Sequence, residues 1–323
     1  MPPSSSTARS RSVPIRNVAV VGATGAVGGV LRGILRERGY DDVRYFASAR
    51  SAGQSLDGNE VQEATPDALA NAGADVAFFA VGASASRELV PPAVRGGALA
   101  IDKSSAWRME PDVPLVVPEV NGERAAGHSG IVAVPNCSTI QLVCALKPLH
   151  DAAGLRSVRV ATYQSVSGAG AAAIERLRDE TVDDHDLRQD WPFDGDEFEE
   201  EAKIREETRK ILELPELPVQ ATCVRVPVVV GHLEAVWIET DDALSPDSAR
   251  KLLATAPSVR VVDSPSPARA AGTDEVLVGH IRRDSATENG LAFMVAGDNL
   301  RKGAALNAVQ IAELLLATSR VAA

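Results

Sequence analysis

The stretch from Asn17 to Tyr40, NVAVVGATGAVGGVLRGILRERGY, constrains the fold more than any other part of the chain. A short apolar run gives way to Gly22, Gly25 and Gly28, and then to helical spacing at Val27, Val30, Leu31, Ile34 and Leu35. That pattern predicts strand, tight turn and helix in succession. Glycines in such a turn let the backbone approach a pyrophosphate closely, and the helix N-terminus presents N–H donors to the anion. The same turn also serves α/β proteins that bind no nucleotide, so by itself it speaks to the fold before the ligand. Further strands are expected at 43–47, 75–81 and 98–102, with a helical stretch over 87–94. This alternation predicts a parallel sheet.

The second expected strand runs into Ser48, Arg50 and Ser51. An NAD site normally places Asp or Glu near this point for the ribose 2′-hydroxyl, whereas an arginine accommodates a 2′-phosphate, so NADP is expected over NAD. Composition narrows the remaining classes. With 323 residues, 45% apolar and 24% charged, the chain has enough material for two folded domains and is neither disordered nor fibrous overall. A formal charge of −11 argues against nucleic acid or an anionic membrane as the main partner. No apolar run approaches the roughly eighteen residues of a membrane span. Cys137, Cys144 and Cys223 cannot all pair and form no CxxC spacing, which fits a reducing compartment, expected to be the cytoplasm, and no metal site. Residues 1–13, MPPSSSTARSRSV, read as a disordered tail rather than a signal peptide.

The cysteine in AVPNCSTIQLVCA has an unusual setting. A Pro-Asn turn precedes Cys137, a Ser-Thr pair follows, and apolar residues recur at Ile140, Leu142, Val143, Ala145 and Leu146, so a helix is expected to begin at the cysteine. Unpaired N–H groups and the positive end of the helix dipole favour a thiolate there, although free cysteines are also commonly just small buried residues. Beyond this helix, 158–165 alternates as a half-buried strand ending near Gln164, followed by Ser167, Gly168 and Gly170, small residues that admit a flat ligand. Arg108, in a loop after the strand at 98–102, offers a fixed fork to an anion, although taken singly an arginine there is more often a solvated surface group.

Residues 178–212 are dense in charge and are expected to form a solvated loop and an exposed amphipathic helix. Glu200 and Lys203 lie three apart on that helix and can face one ligand. Two apolar strands follow from Val219, carrying Arg225 and His232. Such groups in apolar strands demand partners. Given a nucleophile elsewhere, His232 is the obvious acid–base group. The last segment, with Gly303 in a polar turn and a helix bearing Leu306, Val309, Ile311, Leu314 and Leu315, is expected to pack back on the first domain.

Taken together, VAVVGATGAVG, ASARSAG, IDKSSAWRM, PLVVPEVN, PNCSTIQ, TYQSVSGAG, CVRVPVVVGH and DNLRKGAALNAVQIAE resemble the aspartate-semialdehyde dehydrogenase family, in its bacterial type. The resemblance implies an α/β chain with an N-terminal Rossmann-type dinucleotide-binding domain (14–136), an α+β catalytic and dimerisation domain with a mixed sheet (137–303), and a C-terminal helix (304–323) returning to the first domain. It implies NADP-dependent, phosphate-linked interconversion of aspartyl phosphate and aspartate semialdehyde, a step towards lysine, threonine and methionine, by a homodimer or homotetramer. Cys137 would be the nucleophile, His232 the base and Gln164 an orienting group. Arg108 and Lys203 would hold phosphate, Arg225 the substrate carboxylate and Glu200 its amino group. Asn136, with nearby backbone N–H groups, would stabilise the oxyanion. The cofactor would contact Gly22, Thr24, Gly25, Ala26, Val27, Ser48, Arg50, Ser51, Ser167, Gly168 and Asn299. The alternatives are a related acyl-phosphate reductase, such as one acting on N-acetylglutamyl phosphate, and a non-catalytic NADP-binding regulatory protein. Lys103 and Val134 stand where the family usually has Asn, and Trp107 and Met294 replace more usual aromatic choices.

Overall fold

A computed structural model describes residues 17–40, 42–179 and 186–318, and the tail expected at 1–13 lies outside them. The first half alternates as its sequence pattern predicts: β1 (Val18–Val21), α1 (Ala26–Glu37), β2 (Val43–Ala47), β3 (Ser55–Leu56), β4 (Asn59–Glu63), α2 (Pro66–Ala70), β5 (Val76–Phe79), α3 (Ala83–Arg95), β6 (Leu99–Asp102), α4 (Pro118–Asn121) and β7 (Ile131–Ala133). Seven strands order as β3-β4-β2-β1-β5-β6-β7, and all pairs are parallel except the β3–β4 hairpin. All four residues of β1 and all four of β5 are buried, as expected for central strands covered on both faces. The ends differ from expectation: β5 is shorter, stopping at Phe79, and α3 is longer, beginning at Ala83.

The turn between β1 and α1 depends on glycine. Gly22 has φ +87°, and a Cβ there would fall 2.5 Å from the Ala80 carbonyl oxygen. A Cβ on Gly28 would lie 2.2 Å from the Gly22 oxygen, whereas one on Gly29 would meet nothing within 4 Å. Gly28→Ala is therefore expected to cost about 1–3 kcal/mol through overpacking against backbone. Gly29→Ala, in the same helix, should gain up to about 1 kcal/mol from the lost flexibility of the unfolded chain. Urea unfolding of the two variants checks the contrast.

The second half contains α5 (Cys137–Ala153), β8 (Leu155–Ser165), α6 (Ala171–Arg178), the short hairpin β9 (Phe193–Asp194) and β10 (Glu197–Phe198), α7 (Glu199–Leu212), β11 (Val219–Val226), β12 (His232–Thr240), α8 (Pro246–Thr255), β13 (Val259–Val261), α9 (Pro267–Ala270), β14 (Val276–Arg283), β15 (Gly290–Gly297) and α10 (Asn307–Thr318). Its six-stranded sheet orders as β11-β8-β12-β15-β14-β13. The outer pairs β11–β8 and β13–β14 are parallel and the inner ones antiparallel, so the sheet is mixed. Val158, Val160, Thr162 and Gln164 alternate inward along β8, and α5 packs on β8, β12 and β15. Helix α10 packs against α1, α4 and β6 in the first half. Just before it, the fully buried Lys302 donates to both Glu119 carboxylate oxygens at 2.8 Å and to Gln310 at 3.0 Å.

Helix α7 departs from the exposed helix expected of it. Glu200, Glu201 and Glu207 are buried, because each carboxylate has donors waiting in the fold. Glu201 accepts from the Phe198 and Cys223 backbone N–H groups, both at 3.0 Å. Glu200 and Glu207 turn towards the start of α5.

Candidate active site

Cysteine 137 is the first residue of α5, and Asn136 caps the helix by accepting the Ser138 N–H at 2.8 Å. The Asn136 backbone N–H donates to Glu207 at 2.6 Å, and its side-chain amide donates to Glu200 at 2.9 Å. Asn136 is thus engaged within the protein at three points, which fixes the turn that presents the sulfur. The turn at Arg301–Leu306 presses on the cysteine from the far side, and a Cβ on Gly303 would lie 2.9 Å from the Cys137 Cβ.

The sulfur lies 3.2 Å from Nε2 of His232, which opens β12 and is fully buried. The Ser165 backbone N–H donates to His232 Nδ1 at 3.0 Å. A backbone amide can only donate, so Nδ1 is an acceptor and the neutral ring carries its proton on Nε2, towards the sulfur. Burial, reinforced by the nearby Arg225 charge and opposed by the Gly231 carbonyl, pulls the imidazole pKa down to about 3. Burial and the Glu200 charge push the Cys137 thiol up to about 12, against Arg108, Arg225 and the Ser138 N–H.

Around this pair the charged groups hold one another in place. Gln164, at the end of β8, donates to Glu200 at 3.1 Å, so one carboxylate orients both Gln164 and Asn136. Lys203 lies 3.3 Å from Glu199 and 3.8 Å from Glu200. Arg108 is buried, donating to the Val134 carbonyl at 3.0 Å, the Lys103 carbonyl at 2.7 Å and Glu207 at 2.9 Å. Because Val134 contributes its carbonyl, its departure from the usual Asn leaves that contact intact. Arg225 donates to the Ser165 carbonyl at 3.1 Å, pairs with Asp190 at 3.3 Å and lies 4.4 Å from the Trp191 ring centroid. Asn299 accepts from the Gly231 N–H at 2.9 Å and donates to Ser167 Oγ at 2.9 Å, tying the turn before His232 to the one after β8.

A cavity of about 450 Å³ brings most of the expected residues together. Gly25, Ala26 and Val27 line one side, Ser167, Gly168 and Asn299 another, and Arg108, Asn136, Cys137, Gln164, Glu200, Lys203 and Arg225 the rest. A Cβ on Gly168 would sit 3.2 Å from Arg225 Nη1 and 3.6 Å from His232 Nε2, so its absence keeps the cavity open to both. Gly22, Thr24, Ser48, Arg50 and Ser51 do not line this cavity. They lie along the carboxyl ends of β1 and β2, joined by the Gly22 N–H donating to the Phe46 carbonyl at 2.8 Å; Thr24, Ser48 and Arg50 are exposed and Ser51 is buried. Sequence reasoning missed Glu207, Ser165, Asp190 and Trp191. The last two have no signal in spacing, because they reach Arg225 through an antiparallel bridge between Arg188 and Arg225. Among the described residues no cluster of three or more His, Cys, Asp or Glu side chains could hold a metal.

A glycine turn at the carboxyl edge of a parallel sheet, opening on a cavity with a buried cysteine–histidine pair from a second sheet, defines a dehydrogenase of the dinucleotide-binding α/β class. Residues 17–128 match the family model for the semialdehyde dehydrogenase NAD-binding domain, and residues 146–194 and 192–302 match that for the semialdehyde dehydrogenase dimerisation domain. The chain belongs to the aspartate-semialdehyde dehydrogenase family. It is 44% identical to the aspartate-semialdehyde dehydrogenase of Corynebacterium glutamicum, over 93% of this chain and 99% of that one, and 46% identical to that of Aquifex aeolicus, over 93% and 97%. The crystal structure of aspartate semialdehyde dehydrogenase II from Vibrio cholerae, complexed with ASA, superposes with a TM-score of 0.89 at 38% identity, covering 94% of this chain and 99% of that one. The Candida albicans aspartate semialdehyde dehydrogenase solved with NADP gives 0.74 at 28% identity, covering 94% and 98%.

Proposed function

We propose that the chain interconverts L-aspartyl 4-phosphate and L-aspartate 4-semialdehyde with NADP and phosphate, through an acyl-thioester on Cys137. The observation that carries this reading is the 3.2 Å contact between Cys137 Sγ and His232 Nε2 in a cavity shared with the glycine turn. In the oxidative direction the Cys137 thiolate attacks the aldehyde carbon, forming the C–S bond and leaving the carbonyl electrons on oxygen. His232, which carries its proton on Nε2, donates a hydrogen bond to that oxyanion. Placed 3.2 Å from the sulfur, the same Nε2 is the atom proposed for the acid–base role expected of His232. Loss of hydride from carbon restores the C=O bond as a thioester. An oxygen of phosphate then attacks the acyl carbon, the C–S bond breaks and the thiolate returns.

The side chains present fit a dinucleotide. The side-chain-free start of α1 at Gly25 and the open ground at Gly168 leave backbone exposed to a pyrophosphate and a flat ring. Bound there, the nicotinamide supplies the hydride acceptor. The exposed Arg50 after β2 supports a 2′-phosphate, hence NADP, as does the relative solved with NADP. The Arg225 guanidinium retains N–H groups beyond those given to Ser165 and Asp190, enough to receive a substrate carboxylate; Arg108 and Lys203 form the phosphate side, and Glu200 meets the amino group. The ligand of the Vibrio cholerae relative agrees with this substrate. The match to a dimerisation domain supports a homodimer or homotetramer, with the catalytic part at 137–303 between the dinucleotide domain at 14–136 and the helix from 304. A cytoplasmic site of action accords with three free cysteines. Among the described residues no helix is long and apolar enough to cross a membrane.

Initial rates with aspartate semialdehyde and phosphate test the reading. NADP should exceed NAD in kcat/KM by at least about tenfold, equivalent to roughly 1.4 kcal/mol of differential binding. N-acetylglutamate semialdehyde, whose acylated nitrogen cannot pair as a cation with Glu200, should be a poor substrate. The reverse substrate order would overturn the assignment.

A further inference from the structure

We propose that Lys103 is the counter-charge that holds Cys137 as a thiolate in the resting site. The proposal rests on the reading of Cys137 as the nucleophile and adds the group that ionises it. Four cations line the cavity: Lys103, Arg108, Lys203 and Arg225. Three are committed to carboxylates, Arg108 to Glu207 at 2.9 Å, Lys203 to Glu199 at 3.3 Å and Arg225 to Asp190 at 3.3 Å. Lys103 Nζ has no hydrogen-bond or ion-pair partner among the described residues, and its charge is the one left over.

Its stem starts from a fixed point at the end of β6. The Lys103 N–H donates to the Phe79 carbonyl at 3.1 Å, and its own carbonyl accepts from Arg108 at 2.7 Å. Burial, with the Arg108 charge, holds the ammonium pKa below its ordinary value, and negative charge at Cys137 and Asp102 works against that lowering. That attraction is reciprocal, since a thiolate that favours the ammonium is favoured by it in turn.

The other groups facing the sulfur cannot take this part. His232, from β12, accepts the Ser165 N–H on Nδ1, and burial disfavours its imidazolium, so it offers the sulfur a hydrogen bond and no full charge. Glu200, from α7, opposes the thiolate, and Lys203 beside it is drawn to the same carboxylate. Arg108 and Arg225 favour the thiolate, but each shares its charge with an acid. Burial and the Glu200 charge hold the thiol up near about 12 even against Arg108 and Arg225, so a further, uncommitted cation is what would bring ionisation towards neutrality.

The test is the rate at which iodoacetamide, a neutral reagent, alkylates Cys137 in phosphate-free buffer between about pH 6 and 9.5. The sulfur forms its bond to carbon as iodide leaves, and only the thiolate reacts at a useful rate. Lys103→Met should shift the rate profile upward by about one pH unit, making alkylation about tenfold slower at pH 7, because each unit is a factor of ten in thiolate fraction. Lys103→Arg should restore the rate to within about threefold. An unmoved profile in Lys103→Met, or slowing by one factor at every pH, overturns the proposal, the latter indicating altered access alone. If Lys103 serves only incoming phosphate, the phosphate-free profile stays put, which also overturns it. Failure of the nucleophile reading looks different: Cys137→Ser would then retain turnover whatever Lys103 does.

Discussion

Cys137→Ser is expected to lower phosphate-dependent NADP reduction by about a thousandfold or more while leaving NADPH binding within about twofold. The hydroxyl is nearly isosteric with the thiol, so the Asn136 cap on Ser138 and the packing of Gly303 should survive. Its proton, however, is far harder to remove, and an alkoxide is a poorer leaving group when phosphate must cleave the ester. The glycine turn contributes to the same cavity from a different sheet, so binding and chemistry separate. Steady-state rates set beside a fluorescence titration with NADPH measure both halves; substantial turnover in the variant would exclude the thioester route.

Loss of Glu207 should be strongly destabilising. Its carboxylate accepts from Arg108 at 2.9 Å and from the Asn136 backbone at 2.6 Å, and both side chains of the ion pair are nearly inaccessible. Glu207→Ala leaves a buried guanidinium without its anion and the nucleophile turn without its anchor, at an expected cost of about 3–5 kcal/mol. Glu207→Gln keeps an acceptor for one of the donors and should cost less. Unfolding in urea orders the three proteins, and equal midpoints for wild type and Glu207→Ala would show that the pair contributes nothing.

The two halves of the site differ in how far they could be read from sequence. The turn at Gly22–Gly28 and the helix opening at Cys137 are local: periodicity, glycine placement and an Asn cap specify them within a few residues, and the structure follows. The mixed character of the second sheet was legible only through family resemblance, because strand pairing such as β8 with β11 and β12 joins segments far apart in sequence. Charge density misled at α7. Apart from Glu200 the glutamates there look solvated, yet Glu201 and Glu207 also point inward because donors for them, the Cys223 and Asn136 N–H groups and Arg108, come from distant elements. The same cause hid Asp190 and Trp191. Lys103 shows the converse: its departure from the family pattern is visible in the sequence, but only the pairing of Arg108, Lys203 and Arg225 with acids reveals it as the uncommitted cation.

Rapid mixing of the enzyme with NADP and aspartate semialdehyde in the absence of phosphate tests the central claim most directly. The account predicts a burst of about one NADPH per active site, followed by near arrest until phosphate is added, with the acyl group found by mass spectrometry on the peptide containing Cys137. Absence of the burst, or an acyl group carried on any other residue, would contradict it.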